Sequence, residues 1–467
     1  MGKGAAVRRP RLAKGEGRRL LLFWVVAMAA ALFFVHPDAA ETASHAWLFL
    51  ESVFSGQPRS FYGVVAAHQN AFAYLNNAHY NIIVYMVYAV PLLPVYLVCA
   101  FLGAAPPQLL LTFVGKGLCV AFLAACLPVL RRIAALLGLG EESAAAAPVV
   151  FAALLPVGFS AVVMGQYDVM AVFAMLVGWW CWLRGRMWPF VLWFGAAIAL
   201  KSLPLLLFVP LLLLREKRIG HLALYGVCSL WLVVPTALLY RGVTFSKTVF
   251  DAAMMDRLFA TRLMGGREVP LFAAAMVVLC VVAWFWRPGE KSLGGTSALV
   301  GLWVFGLAMI LVEWHPQWVI LLAPFLQLTT LAQPAGQRRG WLLVDVLLCM
   351  GFALVCWAAF PGQLEANLLG AGLLGMLGAP GGGAGQLLGW LAALSPLEKM
   401  PMALFCGAVA AHLLLKLPTK EGTLATRLFG QGAATALPMP LKTYTWWLFL
   451  LGWGVWLVPV LAHWLVG

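Results

Sequence analysis

Apolar residues form long runs along almost the whole chain, separated by short polar turns that are often basic. A run of about 20 apolar residues can cross the ~30 Å hydrocarbon layer as an α-helix. The pattern predicts an all-α, polytopic membrane helix bundle of about thirteen transmembrane helices. The predicted crossings are 20–35, 109–130, 146–164, 168–183, 188–201, 203–214, 221–240, 270–286, 296–313, 318–332, 341–360, 400–416 and 444–465.

One further apolar stretch, 81–104, is predicted not to cross. Pro91 and Pro94 lie at its centre, and each removes a helical donor, which predicts a broken rod that turns back or lies at the interface. Basic residues concentrate in cytoplasmic loops. If 81–104 crossed, the basic turns that follow it, such as 131–132 and 184–186, would all move outside.

Composition and charge support the membrane class. Hydrophobic residues make up 63% of the 467 residues and charged residues only 10%, against about 25% charged in soluble domains. The 31 Lys and Arg outnumber the 17 Asp and Glu. This excess indicates basic loops that stay in the cytoplasm rather than nucleic-acid binding. The nine cysteines lie in apolar segments without metal-type pairing, so they are read as buried apolar residues.

The chain divides into three parts. Residues 1–19 form a basic cytoplasmic N-terminus, followed by a signal anchor. Residues 20–240 form a first transmembrane module that includes an external loop at 36–108, which is polar over 36–80. Residues 241–467 form a second, variable transmembrane module, with an external Gly-rich loop at 361–397 and a cytoplasmic linker at 417–442.

In this predicted membrane topology, polar side chains gather at the external ends of the helices. Ionisable groups at membrane depth cost ~2.5–3.5 kcal/mol or more, so they are functional candidates. We call this set the rim: Asp38, Lys116, Gln166, Asp168, Lys201, Glu313, His315 and Gln317. The opposite ends carry mainly Arg and Lys turns, which orient the protein.

Each rim residue also has an ordinary structural interpretation. Asp168 could cap the helix that begins there, and Lys201 could extend its ammonium group to the interface. His315 could be a satisfied histidine at a helix end, and Trp314 and Trp318 fit an interfacial aromatic belt. The functional interpretation depends on the convergence of these residues on one side.

The rim suits glycosyl transfer from a lipid-phosphate sugar. A carboxylate can take the proton of an acceptor hydroxyl, and cations stabilise the charge that develops on a departing phosphate. A lipid carrier would place the reaction at the membrane edge. The sequence has no Gly-Lys-Ser/Thr phosphate loop and no tight metal cluster, so it does not indicate use of ATP or nucleotide sugars.

Four segments in order carry a family resemblance. They are Gly165-Gln166-Tyr167-Asp168, Arg184-Gly185-Arg186, Lys201-Ser202-Leu203-Pro204 and, later, His315-Pro316-Gln317-Trp318. Over roughly residues 20–330 this order resembles the GT-C superfamily of integral-membrane glycosyltransferases. It is most similar to the mannosyltransferase-like bacterial members that use polyprenyl-phosphate sugars.

The resemblance implies roles for rim residues. Asp38 would be the catalytic base, although Glu41, three residues on, leaves the choice between the two open. Gln166 and Asp168 would line the acceptor or sugar pocket. The donor phosphate would be contacted by Lys201 and His315, with Gln317 in the same segment and Lys116 as a weaker candidate.

The resemblance also implies the partners. The donor would be a hexose linked to a polyprenyl phosphate, and the resemblance suggests mannose as that hexose. The acceptor would be a glycan, a lipid or a protein. No cofactor is firmly implied, a divalent metal is left open, no metal ligands are assigned, and no nucleic acid is expected. The location would be the bacterial inner membrane, multi-pass, with a cytoplasmic N-terminus.

Two other classes are compatible with part of the pattern. A multi-pass transporter or lipid flippase also has many helices and proline-broken segments, but it is expected to place ionisable groups at the midplane and to show two related halves. An O-antigen-ligase-like or polymerase-like transferase would also use lipid-linked sugars outside the cell.

Overall fold

The apolar runs form helices. The computed structural model describes residues 16–68, 72, 75–241, 257–263, 269–359, 399–420, 422–429 and 439–466. The helices are α1 (Glu16–Phe33), α2 (Pro37–Phe54), α3 (Phe61–Ala67), α4 (Ile82–Leu102), α5 (Gln108–Leu136), α6 (Glu141–Ala153), α7 (Leu155–Gly158), α8 (Asp168–Leu183), α9 (Met187–Leu200), α10 (Pro204–Arg215), α11 (Ile219–Cys228), α12 (Val233–Leu239), α13 (Leu271–Phe285), α14 (Glu290–Leu311), α15 (Val319–Leu331), α16 (Arg338–Ala359), α17 (Met400–Leu415), α18 (Leu424–Phe429) and α19 (Leu441–Val466).

Strand structure is confined, in the described residues, to two antiparallel hairpins of two-residue strands. The first pairs β1 (Arg262–Leu263) with β2 (Val269–Pro270), and the second pairs β3 (Pro418–Thr419) with β4 (Gly422–Thr423). Short 3₁₀ turns occur at Pro58–Ser60, Pro316–Trp318 and Ala335–Gln337. The second hairpin and α18 lie where a plain polar linker was predicted.

The protein is a polytopic helical membrane bundle. Among the described residues, four helices are long and apolar enough to cross a bilayer, or up to seven segments if each of three bent pairs counts as one. Six apolar helices of 10–17 residues accompany them. At 1.5 Å per residue the shorter ones fall below the ~30 Å of the hydrocarbon core. The exact number of thirteen crossings stays a prediction.

The predicted break in 81–104 is wrong. Helix α4 continues through Pro91 and Pro94, although the carbonyls of Val87 and Val90 lose their helical donors. Packing against α2 and α5 holds the rod together. Its length would allow a crossing, and its flanks contact the turn before α8 and helix α2. Before the helix, Tyr80 has its ring centroid 4.5 Å from that of Tyr167. After it, Gln108 donates a hydrogen bond to Ser44 of α2. That 81–104 lies along the interface stays a prediction.

The polar stretch 36–80 is not a loop throughout, because it contains α2 and α3. Helix α2 begins at Pro37, whose fixed φ suits the first helical position. The ring nitrogen Nδ1 of His36 accepts the backbone N–H of Asp38 at 3.2 Å and caps the helix. Helix α2 bends 78° from α1 and packs on α4 and α5. It was missed because its alanines and polar residues lack a membrane-like apolar run.

Helix α15 lies at the centre of the bundle, with every residue buried. Its closest packing is at Gly301 of α14, where an added Cβ would lie 2.2 Å from the ring of Phe325. The other face of that ring meets Trp179 of α8, with centroids 4.8 Å apart. Helix α15 therefore carries the segment at its N-terminus, Pro316–Trp318, into the middle of the protein.

Candidate active site

Asp38 is a rim carboxylate that is partly open to solvent. Its side chain is 30% exposed, and Nδ1 of His36 lies 3.7 Å from its Oδ1. Gln166, from the turn before α8, donates from Nε2 to Oδ2 of Asp38 at 2.6 Å. Oε1 of Gln166 is buried and has no hydrogen-bond partner among the described residues. The amide of Gln166 thus orients the carboxylate of Asp38. Its oxygen Oε1 remains able to accept a hydrogen bond from another group.

The backbone turn that presents Gln166 requires a glycine. Gly165 has φ +65°, and a Cβ there would lie 2.6 Å from Cγ of Lys116. Lys116 is fully buried and donates from Nζ to the carbonyl of Phe34 at 2.5 Å. Lys116 therefore lies against this turn with its side chain and bonds the end of α1 with its ammonium group. Its contact with a donor phosphate stays a prediction.

Asp168 and Lys201 form an ion pair within the protein. Their Oδ1 and Nζ atoms lie 3.1 Å apart, with side chains 0% and 4% exposed. Asp168 occupies the first turn of α8, where a carboxylate also favours the helix dipole. The residue at the cap position is Tyr167, which makes no side-chain cap, and the carboxylate oxygens of Asp168 accept no capping hydrogen bond from the described residues. Capping and interfacial extension are therefore not the roles that the structure shows.

Three aromatic rings surround the ammonium group of Lys201. Nζ donates to the hydroxyl of Tyr167 at 3.2 Å and lies 5.0 Å from the ring of Tyr167, 5.4 Å from that of Trp318 and 5.9 Å from that of Tyr80. Cation–π attraction at such distances stabilises the charge. Lys201 thus joins α9 to the segment before α15.

His315 faces a residue that the sequence did not single out. Its Nε2 accepts a hydrogen bond from the guanidinium of Arg257, and its ring meets Trp318 edge to face. Burial, together with the charges of Arg257 and Lys201, lowers the pKa of His315 to about 4. The ring is therefore neutral at pH 7, and the positive charge here belongs to Arg257.

Most of the predicted rim comes together. His315 is close enough to feel the charges of Lys201, Asp38 and Glu313, and Tyr80 those of Asp38 and Asp168. Gln317 is buried before α15, with its Oε1 unpartnered among the described residues.

Glu41 lies one turn beyond Asp38 and accepts hydrogen bonds from Asn76. Asp38 is the member of this pair that contacts Gln166.

The sequence did not identify Tyr80, Tyr167, Trp318 and Arg257 as site residues. Aromatic and basic residues are common at membrane interfaces, so nothing in their spacing distinguished them. No group of three or more His, Cys, Asp or Glu side chains that could hold a metal ion occurs in the part of the chain that the structure describes.

Comparison with known proteins gives a match to one family model. Residues 94–313 match the model of Glycosyltransferase family 87, a little under half of the chain. The chain is similar to membrane glycosyltransferases. This match confirms the resemblance predicted from the ordered motifs and, with it, glycosyl transfer as the class of reaction. It includes Gln166, Asp168 and Lys201, and it leaves out Asp38 and His315.

The chain is also similar to the crystal structure of ArnT from Cupriavidus metallidurans bound to undecaprenyl phosphate. The two share 17% identity with a TM-score of 0.46, over 95% of this chain and 77% of that one. No curated protein sequence matches the chain.

Proposed function

We propose that the protein transfers a hexose, mannose in the simplest case, from a polyprenyl-phosphate donor to a hydroxyl group of an acceptor. Asp38 acts as the general base. The observation that carries the proposal is the half-open carboxylate of Asp38, held by Gln166, beside the ion pair of Asp168 and Lys201. This arrangement supplies a proton acceptor next to a fixed positive charge.

The proposed step is a single displacement. Asp38 takes the proton from the acceptor hydroxyl, whose oxygen forms a bond to the anomeric carbon of the sugar. The bond between that carbon and the phosphate oxygen breaks, and polyprenyl phosphate leaves with the bonding electrons. Lys201 and Arg257 stabilise the negative charge on the departing phosphate, and neutral His315 holds Arg257 in place.

The location of the rim supports a lipid-linked donor. Its residues lie at helix ends: the start of α2, the start of α8, the end of α9 and the turn before α15. A phosphate on a lipid can reach such a position while its chain stays in the bilayer. The acceptor is a glycan, a lipid or a protein that approaches from the same side.

The charge pattern supports the orientation. The predicted basic turns lie at the opposite ends of these helices, as at Arg184 and Arg186 after α8. In line with the positive-inside rule, the N-terminus is proposed to be cytoplasmic and the rim to lie outside. The proposed location is the bacterial inner membrane.

The test replaces carboxylates by amides in the purified full-length protein and measures consumption of a polyprenyl-phosphate sugar with an acceptor mixture. Asp38→Asn is expected to reduce transfer about 100-fold or more, because a general base contributes 10²–10⁴. Glu41→Gln is expected to retain most activity. Glu141→Gln, at an exposed position on α6, is the control for the chemical change itself.

Undiminished transfer by Asp38→Asn would refute the assignment of the base. If Glu41→Gln alone is inactive, Glu41 is the base instead. Movement of the lipid across vesicle membranes without any new glycosidic bond would favour a transporter.

A further inference from the structure

A second buried polar cluster lies in the C-terminal half, outside the family match. Asp345 of α16, His412 of α17, Lys416 directly after α17 and Tyr444 of α19 are all 0–1% exposed. The sequence pattern had placed Lys416 in a basic turn facing the cytoplasm. Because ionisable groups are expensive inside a membrane bundle, four together require a reason.

The members of this cluster contact one another in a chain. Nε2 of His412 lies 3.0 Å from Oδ1 of Asp345, and the hydroxyl of Tyr444 donates to Oδ2 of Asp345. The ring of His412 stacks on Trp341 with centroids 5.5 Å apart. Nζ of Lys416 lies 5.0 Å from the ring of Trp341. Asp345 is also close enough for its negative charge to act on Lys416.

Lys416 directs its donors at the last two turns of α15. Nζ bonds the carbonyl of Leu326 at 3.0 Å, the hydroxyl of Thr329 at 2.9 Å and the hydroxyl of Thr330 at 2.7 Å. An ammonium group has three N–H bonds, so all of them are used on this helix. Lys416 thus joins the end of α17 to the end of α15.

The opposite end of α15 carries part of the rim. Trp318, directly before the helix, covers Lys201, and Gln317 precedes it. At 1.5 Å per residue, Trp318 lies about 18 Å from Thr330 along one helix. Pro324 interrupts the hydrogen bonding midway. If α15 moves as one rod despite this proline, a shift at the Lys416 end changes how Trp318 meets Lys201.

We propose that Lys416 is a positioning residue: it holds the end of α15 so that Trp318 and Gln317 form the phosphate side of the rim. Asp345 and His412 balance and orient the charge that does this. The alternative is that apolar packing alone positions α15. Buried ion pairs can often be replaced by apolar residues without loss of stability, so stability and positioning can be separated by experiment.

The experiment compares Lys416→Met, Asp345→Asn and the double variant, with Lys442→Met as the matched exposed control. Three quantities are measured in the full chain: the thermal midpoint, hydrogen exchange of the peptide 313–331, and KM and kcat for the polyprenyl-phosphate sugar. Each single variant leaves one uncompensated buried charge and is expected to lower the midpoint. The double variant removes both charges and is expected to regain much of it.

The double variant is not expected to regain the native position of α15. In both Lys416→Met and the double variant, exchange over 313–331 is expected to rise, and KM to rise about tenfold with kcat within about twofold. KM changes because Trp318 and Gln317 serve the donor side, whereas Asp38 and Gln166 lie on other elements. Lys416→Arg, which keeps charge and donors, is expected to recover part of the KM.

Unchanged exchange and KM in a folded double variant would overturn the proposal in favour of apolar packing, and so would recovery of KM together with the midpoint. The inference rests on the proposed function for its kinetic part only. If the wild-type chain consumes no lipid-linked sugar but exchange over 313–331 still rises in the double variant, the positioning role stands and the proposed function fails.

Discussion

Substitution of Gly165 by alanine tests how closely the rim depends on the residues beneath it. Gly165 has φ +65°, and a Cβ there would lie 2.6 Å from Cγ and 3.3 Å from Cδ of Lys116. Two effects should add. A non-glycine residue in the left-handed region costs about 1–2 kcal/mol. Displacement of Lys116 breaks its charged hydrogen bond to the carbonyl of Phe34, a loss of about 1.5–3 kcal/mol.

The expected destabilisation is therefore about 2.5–5 kcal/mol. Gly103 provides the matched control, because it has φ +62° with nothing within 4 Å of an added Cβ. Gly103→Ala should cost only the backbone contribution, about 1–2 kcal/mol. Gly165→Ala should also reduce transfer activity, because Gln166 is the next residue and holds Asp38.

The assay is unfolding of the purified protein in mixed detergent micelles, followed by a transfer assay on the fraction that stays folded. Equal destabilisation by Gly165→Ala and Gly103→Ala would refute the reasoning, since it would mean that Lys116 adjusts without losing its bond. Full transfer activity of folded Gly165→Ala would show that this turn does not orient Asp38.

Three further predictions concern the same site. Asp168→Asn and Lys201→Met should each destabilise the protein by about 3–5 kcal/mol, and the double variant by clearly less than their sum, because each single change leaves a buried charge unpaired. The pKa of His315 is lowered to about 4, so its contribution to stability is complete above the unfolded value near 6.5 and is lost as the pH falls from there towards 4. His315→Gln should therefore flatten the decline of the unfolding midpoint over that range. Because one displacement with a single base inverts the reacting carbon, the product should have the anomeric configuration opposite to that of the donor.

The measurements are a double-mutant cycle in mixed micelles, melting curves at stepped pH, and NMR of the anomeric proton of the product. Additive effects of Asp168→Asn and Lys201→Met would contradict the ion pair. An unchanged pH dependence in His315→Gln would contradict a neutral histidine, and retention of configuration would require a second, covalent step.

The helices were predictable where hydropathy alone decides. Helix α8 begins at Asp168 and ends at Leu183, as predicted from the polar turns on either side, and α9, α10 and α15 differ from their predicted bounds by a residue or so. Where packing decides, hydropathy was not enough. Helix α2 is held by its contacts with α4 and α5, and its own residues resemble a loop.

The site was predictable as a set of residues but not as a set of contacts. A polar turn at a helix end lies directly beside the apolar runs that mark the helices. Gln166, Asp168 and Lys201 could therefore be found from local patterns. Arg257 lies 58 residues before His315, in a stretch of sequence with several charges, and no spacing rule connects the two. The neutral state of His315 depends on burial and on the charges around it, which only the folded structure provides.

The same limit explains the two buried lysines. Lys116 and Lys416 were predicted to serve a phosphate and the cytoplasmic surface, respectively, because the sequence shows only their position along a helix. In the structure each is fully buried and binds oxygen atoms of another helix or its end: Phe34 for one, and Leu326 with two threonines for the other. Each ammonium group joins segments that are far apart in the sequence. Lys116 therefore connects the turn before Gln166 to the end of α1. In our proposal, Lys416 positions the other side of the rim from the far end of α15.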